Sequence, residues 1–90
     1  MKKEPLLRTA DEIQGFLISA IAGHARIDPS QIDPRASFTD YGLDSLSAAA
    51  IMGQLEEKLG QKLVATLPWD YPTIEQLVQH LKNIHARKNH

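Results

Sequence analysis

The segment Gly42-Leu43-Asp44-Ser45-Leu46 sets one hydroxyl where an irregular, proline-bearing loop gives way to an apolar-periodic helix, with a carboxylate before it and a leucine after it. The first N–H groups of a helix have no intrahelical partner and the helix dipole is positive at that end, so a phosphodiester on Ser45 would sit in favourable surroundings. The chemistry open to this serine is to carry a phosphate-linked group. Use as a hydrolytic nucleophile fits poorly, because the context lacks the G-x-S-x-G elbow and a ninety-residue helical chain has little room for an oxyanion hole. The carboxylate of Asp44 can cap the helix, and Gly42 is read as allowing a tight approach of loop to helix.

Other polar groups converge less. The four histidines, His24, His80, His85 and His90, are dispersed and read as solvated surface residues, so no metal site is expected. Glu56 and Glu57 are adjacent and point about 100° apart on a helix, so they cannot flank a substrate as a catalytic pair and read as solvent charges. No cysteine is present, which excludes disulfides, a thiolate zinc site and a cysteine nucleophile. Any thiol chemistry must be imported, and no catalytic residue is expected.

These residues must be positioned by a small scaffold. Ninety residues make one domain, spanning 1–90 with an ordered core over about 9–85 and frayed ends, and its stability margin is thin. Ten basic against eleven acidic residues leave a formal net charge of −1, which gives no general attraction to nucleic acid or to an anionic membrane. After Met1-Lys2-Lys3-Glu4-Pro5 only Leu6 and Leu7 precede Arg8, so a signal peptide is not expected, and no segment reaches the apolar length of a membrane span. A cytoplasmic protein is the simple expectation. The charged tail from His85 to His90 reads as a natural end or as the remnant of a linker to a larger enzyme.

Thr9-Ala10-Asp11-Glu12 has the form of a capping box, and Ile13, Phe16, Leu17, Ala20 and Ile21 follow at helical spacing, which predicts a helix from about Ala10 to His24. Asp28-Pro29 and Asp33-Pro34 break the next stretch into a long loop, which Ile27, Ile32, Phe38 and Leu43 can pin to the core. Ser45 to Leu59 is free of proline, rich in alanine and followed by Gly60, which predicts a second helix. Its Ala48, Ile51, Met52, Leu55 and Leu59 form the stripe for the core, while Leu46, Ala50 and Gly53 form a small apolar stripe beside the serine that a partner could use. Leu63 to Pro72 is apolar but closes on two prolines, which leaves room for one brief helix; Thr73-Ile74-Glu75-Gln76 then opens a last helix with Ile74, Leu77, Val78, Leu81 and Ile84 on one face. The fold class is therefore all-α, a small bundle of three longer helices and one short one.

This order of elements, with Asp44-Ser45-Leu46 opening the second helix, resembles the acyl carrier protein family from about Asp11 to Leu81. Within that family Phe38-Thr39-Asp40-Tyr41-Gly42-Leu43-Asp44-Ser45-Leu46 and Trp69-Asp70-Tyr71-Pro72-Thr73 look most like carriers of modular polyketide synthases, where a phenylalanine often stands at the position of Trp69. Fatty-acid carriers usually have a strongly acidic second helix; this chain has Ser47, Ala48, Ala49 and Ala50 there and acids only at Glu56 and Glu57. Peptidyl carriers tend to show two glycines before the residue preceding the serine, where this chain has Gly42-Leu43.

The resemblance implies that the protein is not an enzyme but the substrate of a phosphopantetheinyl transferase, which moves a 4'-phosphopantetheine arm from coenzyme A to Ser45. The arm then holds an acyl or polyketide group as a thioester for acyltransferase, ketosynthase or other biosynthetic partners, and the carrier works as a monomer. Asp44 and Leu46 would attend the arm and the transferase, and Leu46, Ala50, Gly53 and Trp69 would form the docking face, with helix packing as the plainer reading of Trp69. The alternatives are a peptidyl or fatty-acid carrier, or a helical interaction module that carries nothing.

Overall fold

The computed structural model describes residues 9–60, 62–64 and 66–88, with side chains through Asn83. Among the described residues there are four α-helices: α1 (Ala10–Ala25), α2 (Ser45–Leu59), α3 (Leu67–Asp70) and α4 (Ile74–Lys88). The first begins at the capping box read from the sequence, with the Thr9 hydroxyl accepting from the Glu12 N–H at 3.1 Å and the Glu12 carboxylate accepting from the Thr9 N–H at 3.0 Å. It ends one residue beyond His24, where Arg26 takes a left-handed conformation, φ 59°, and the Ile27 N–H closes on the Ala22 carbonyl at 3.1 Å. No helix among the described residues is long and apolar enough to cross a membrane.

Between α1 and α2 the chain is more regular than its prolines suggest, because it contains two 3₁₀ turns, Pro29–Gln31 and Phe38–Tyr41. Asp28 caps the first by accepting from the Ser30 N–H at 2.9 Å, and proline is suited to the position after a cap, where no N–H is needed. Ile32, Phe38 and Leu43 are buried and Ile27 is half-buried, as the loop-pinning expectation required. Polar ties add to this. The Tyr41 hydroxyl accepts from the Asp33 N–H at 2.7 Å, the Phe38 N–H donates to the Pro72 carbonyl at 2.8 Å, and the Glu75 N–H donates to the Pro34 carbonyl at 3.0 Å. The loop is thus fastened to the start of α4, and Ser37 and Thr73 form an isolated antiparallel bridge there.

The core lies where α1, α2 and α4 meet, with Leu17, Ile21, Leu55, Ile74, Leu77 and Leu81 fully enclosed and no polar side chain buried among the described residues. On α2 all five residues of the expected stripe, Ala48, Ile51, Met52, Leu55 and Leu59, are buried. Gly60 ends this helix in a left-handed conformation, φ 70°. On α4, Ile74, Leu77, Val78 and Leu81 are buried as expected, while Ile84 lies outside the described side chains. The Thr73 hydroxyl accepts from the Gln76 N–H at 3.1 Å and so caps α4.

Two readings of exposed polar groups are corrected by packing. Glu56 is not a free solvent charge: its carboxylate accepts from the Leu63 N–H at 2.8 Å and holds the chain as it reverses after Gly60. His80 is not simply solvated, because its ring stacks on Tyr71 with centroids 4.2 Å apart and planes 16° from parallel. Both partners come from segments beyond the reach of helical spacing.

Candidate functional site

The candidate site is assembled at the junction of the second 3₁₀ turn and α2. Gly42 ends the turn with φ 77°, a left-handed conformation that glycine adopts without steric cost. A Cβ built there would meet nothing within 4 Å, so the glycine serves the backbone turn rather than a close approach of loop to helix. Leu43 then plunges into the core at 5% exposure, which orients the next residues outward.

Asp44 has extended backbone and caps α2, its carboxylate accepting from the Ser47 N–H at 2.8 Å, while its carbonyl accepts from the Ala48 N–H at 2.9 Å. Its carboxyl is held below the usual carboxylate range, chiefly by the Ser47 N–H, then by the Ser47 hydroxyl, with a minor contribution from the charge of His24 near the end of α1. A folded-state pKa below the ordinary carboxylate value of 3.8 means that the cap contributes its full stabilisation above that pH and loses it as pH falls through the folded value. In thermal melts, wild type should therefore exceed Asp44→Ala in Tm at neutral pH, and the difference should shrink on acidification below about pH 4. An unchanged difference down to pH 2 would contradict the assigned cap.

Ser45 is the first residue of α2 and is exposed, so its hydroxyl can be esterified without unfolding the chain. Since Asp44 takes the Ser47 N–H, the N–H groups of Ser45 and Leu46 remain at the positive end of the helix for solvent or an esterified phosphate. The residues present therefore fit a phosphodiester at this position. Leu46 is 81% exposed, and Ala50 and Gly53 on the same side of α2 are exposed as well. Trp69 in α3 is 45% exposed, so the helix-packing reading accounts for only part of its surface.

The structure adds Val64, 64% exposed, to the large apolar residues in solvent, a residue hidden in the sequence by the apolar run around it. It also brings α3 against the first half of α2: Pro68, Leu43, Ala48 and Met52 line a common apolar cavity of only about 10 Å³. That is about the room one water molecule needs, so this cavity in the core beside Ser45 is closed to a larger group. A wider groove of about 770 Å³ runs along α4 past Asp70, Tyr71 and His80, and none of the residues around Ser45 lines it. Among the described residues no cluster of three or more histidines, aspartates or glutamates is arranged to hold a metal ion.

Comparison with known proteins agrees with this geometry. Residues 15–81 match the family described as "Phosphopantetheine attachment site". The chain is 35% identical over 71 residues to erythronolide synthase EryA2 of Saccharopolyspora erythraea, covering 79% of this chain but only 2% of that much longer protein. Its structure is similar to that of a free-standing peptidyl carrier protein from Acinetobacter baumannii, with a TM-score of 0.77 and 37% identity over 83% of this chain and 94% of the other. It is also similar to Asl1650, an acyl carrier protein from Anabaena sp. PCC 7120, with a TM-score of 0.80 and 33% identity over 94% and 99% of the two chains. With a helical bundle that matches theirs and an exposed serine opening its second helix, the chain belongs to the phosphopantetheine-attachment family of carrier proteins, which are not catalysts and bear a covalent 4'-phosphopantetheine.

Proposed function

We propose that Ser45 is the attachment residue and that the domain presents acyl or polyketide intermediates, as thioesters, to the acyltransferase, ketosynthase and related enzymes of a polyketide or similar pathway. The observation that carries this reading is the exposed Ser45 hydroxyl on the first residue of α2, with Asp44 as the cap before it. In the transferase reaction the Ser45 oxygen forms the new bond to phosphorus, the nucleotide portion of coenzyme A leaves, and the hydroxyl proton passes to the transferase. The arm supplies a terminal thiol to a chain that has no cysteine. The chain's own contribution is presentation: a tethered group meets a docked enzyme at high effective concentration, so docking can be weak and reversible.

The closed core beside Ser45 favours cargo held outside the bundle. Leu46, Ala50, Gly53 and Trp69 supply the proposed docking surface, with Asp44 and Leu46 also facing the transferase, and the carrier is read as a cytoplasmic monomer. Leu46→Glu should leave the helical circular dichroism unchanged and slow processing by partner enzymes several-fold, since a charge replaces a leucine in the contact; unchanged transferase and synthase rates would remove Leu46 from the docking face.

Similarity to a free-standing peptidyl carrier supports a second reading, in which the cargo is aminoacyl or peptidyl. The deciding experiment is intact-protein mass before and after incubation with a broad-specificity phosphopantetheinyl transferase, Mg²⁺ and coenzyme A, followed by peptide mapping. A gain of one phosphopantetheine on the peptide holding Ser45 supports the proposal. No gain with competent enzyme would favour a helical interaction module that carries nothing. The mass of whatever group the natural partners then load separates an acyl from a peptidyl cargo.

A further inference from the structure

We infer that His80 is a positioning residue: its ring, stacked on Tyr71, clamps the short helix α3 onto α4 and so keeps Trp69 in the orientation presented to partners. The helix has four residues, Leu67–Asp70, and a helix of one turn does not sustain itself. Its N-cap, Thr66, makes no side-chain capping hydrogen bond. Within the turn the Trp69 N–H donates to the Thr66 carbonyl at 2.9 Å and the Tyr71 N–H to the Leu67 carbonyl at 2.8 Å, while the Asp70 N–H reaches Thr66 only at 3.4 Å.

What holds the turn must come from outside it. Leu67 and Pro68 are buried on the inner side, where Pro68 shares its cavity with Leu43 and Ala48 at the start of α2. On the outer side, among the described residues, the end of the turn is tied to another helix by the Tyr71–His80 stack, with centroids at 4.2 Å and planes 16° from parallel. Immediately afterwards, at Pro72, the backbone is fixed by the Phe38 N–H at 2.8 Å. Tyr71 therefore sits between a fixed backbone and a mobile-prone single turn, and its ring partner decides how often the turn lifts. Trp69, two residues earlier and 45% exposed, moves with it.

An aromatic pair of this kind shifts the closed-to-open ratio of the segment by about two- to tenfold. The test is amide hydrogen exchange on the unmodified chain. In His80→Ala, the Trp69 and Tyr71 amides should exchange about two- to tenfold faster, while Leu17 and Leu55 amides in α1 and α2 change less. His80→Phe, which keeps a flat ring, should restore the slow rates. Equal acceleration across α1, α2 and α3 would make His80 a general support of the fold and overturn the inference, as would failure of the phenylalanine to rescue.

The consequence for partner presentation rests on Ser45 being the attachment residue. There, His80→Ala should raise the transferase KM for this carrier by the ratio in which the closed fraction of α3 falls, at most the exchange factor, with kcat unchanged, and His80→Phe should reverse the rise. Local exchange at α3 without a KM change would keep the clamp but reject the positioning role. Because exchange is read on the unmodified chain, failure of the clamp and failure of Ser45 to accept the arm are separate results.

Discussion

Ser45→Ala is expected to fold as the parent does and to gain no mass with transferase, Mg²⁺ and coenzyme A, a complete loss of loading against full conversion of the parent. The two halves of this result have different causes. Loading is lost because alanine has no oxygen to bond phosphorus, and the remaining serines offer no substitute in the same setting: Ser47 lies a half-turn further on, and Ser19, Ser30 and Ser37 belong to other elements. The fold is kept because the cap is Asp44, whose carboxylate holds the Ser47 N–H at 2.8 Å, and not Ser45. An exposed serine outside the cap leaves stability within about 0.5 kcal/mol when truncated. Residual loading of the variant would move the attachment residue elsewhere, and a large drop in Tm would show that Ser45 has a structural part that its exposure hides.

Leu55→Ala is expected to have the largest effect on stability. Leu55 is fully enclosed at the centre of the α2 stripe and belongs to the same cluster as Leu17, Ile21 and Leu77. Removing a buried leucine side chain costs about 2–5 kcal/mol through lost transfer energy and the cavity left behind. A domain of this size shifts about 4–8 °C in Tm per kcal/mol, so a fall of about 8 °C or more is expected by thermal melt. The already tight packing beside it, with only about 10 Å³ free in the neighbouring cavity, gives little slack for relaxation. A fall of only a degree or two would mean that α2 is not the central element of the core.

Loading by Leu55→Ala then becomes informative. Below its Tm the variant should still accept the arm, since Ser45 and Asp44 are untouched. Above it, loading should fall together with helicity, because the transferase would meet an unfolded chain.

What the amino-acid sequence determined by itself lay within a turn or two of helix. Thr9 with Glu12, and Thr73 ahead of Gln76, announce their helices because a cap is bonded to a group two or three residues away. The stripe Ala48, Ile51, Met52, Leu55 and Leu59 announces its buried face because the helical period places those residues on one side. The same short reach made the serine legible, since a loop, an acid, a hydroxyl and a helix follow one another in the chain.

Only the tertiary structure decided the contacts between segments that no period relates. It gave Glu56 the Leu63 N–H, because the chain turns back after Gly60 and brings that donor to the carboxylate. It laid His80 on Tyr71 by bringing the end of α3 to α4, and it left Leu46 81% exposed and Trp69 45% exposed while burying leucines of equal hydrophobicity nearby. It also replaced the reading of Gly42 as a close approach of loop to helix by a need for positive φ, since a Cβ there would meet nothing within 4 Å. Caps and stripes are local bonds and local geometry; a carboxylate's distant donor or a ring's stacking partner depends on where the rest of the chain has packed.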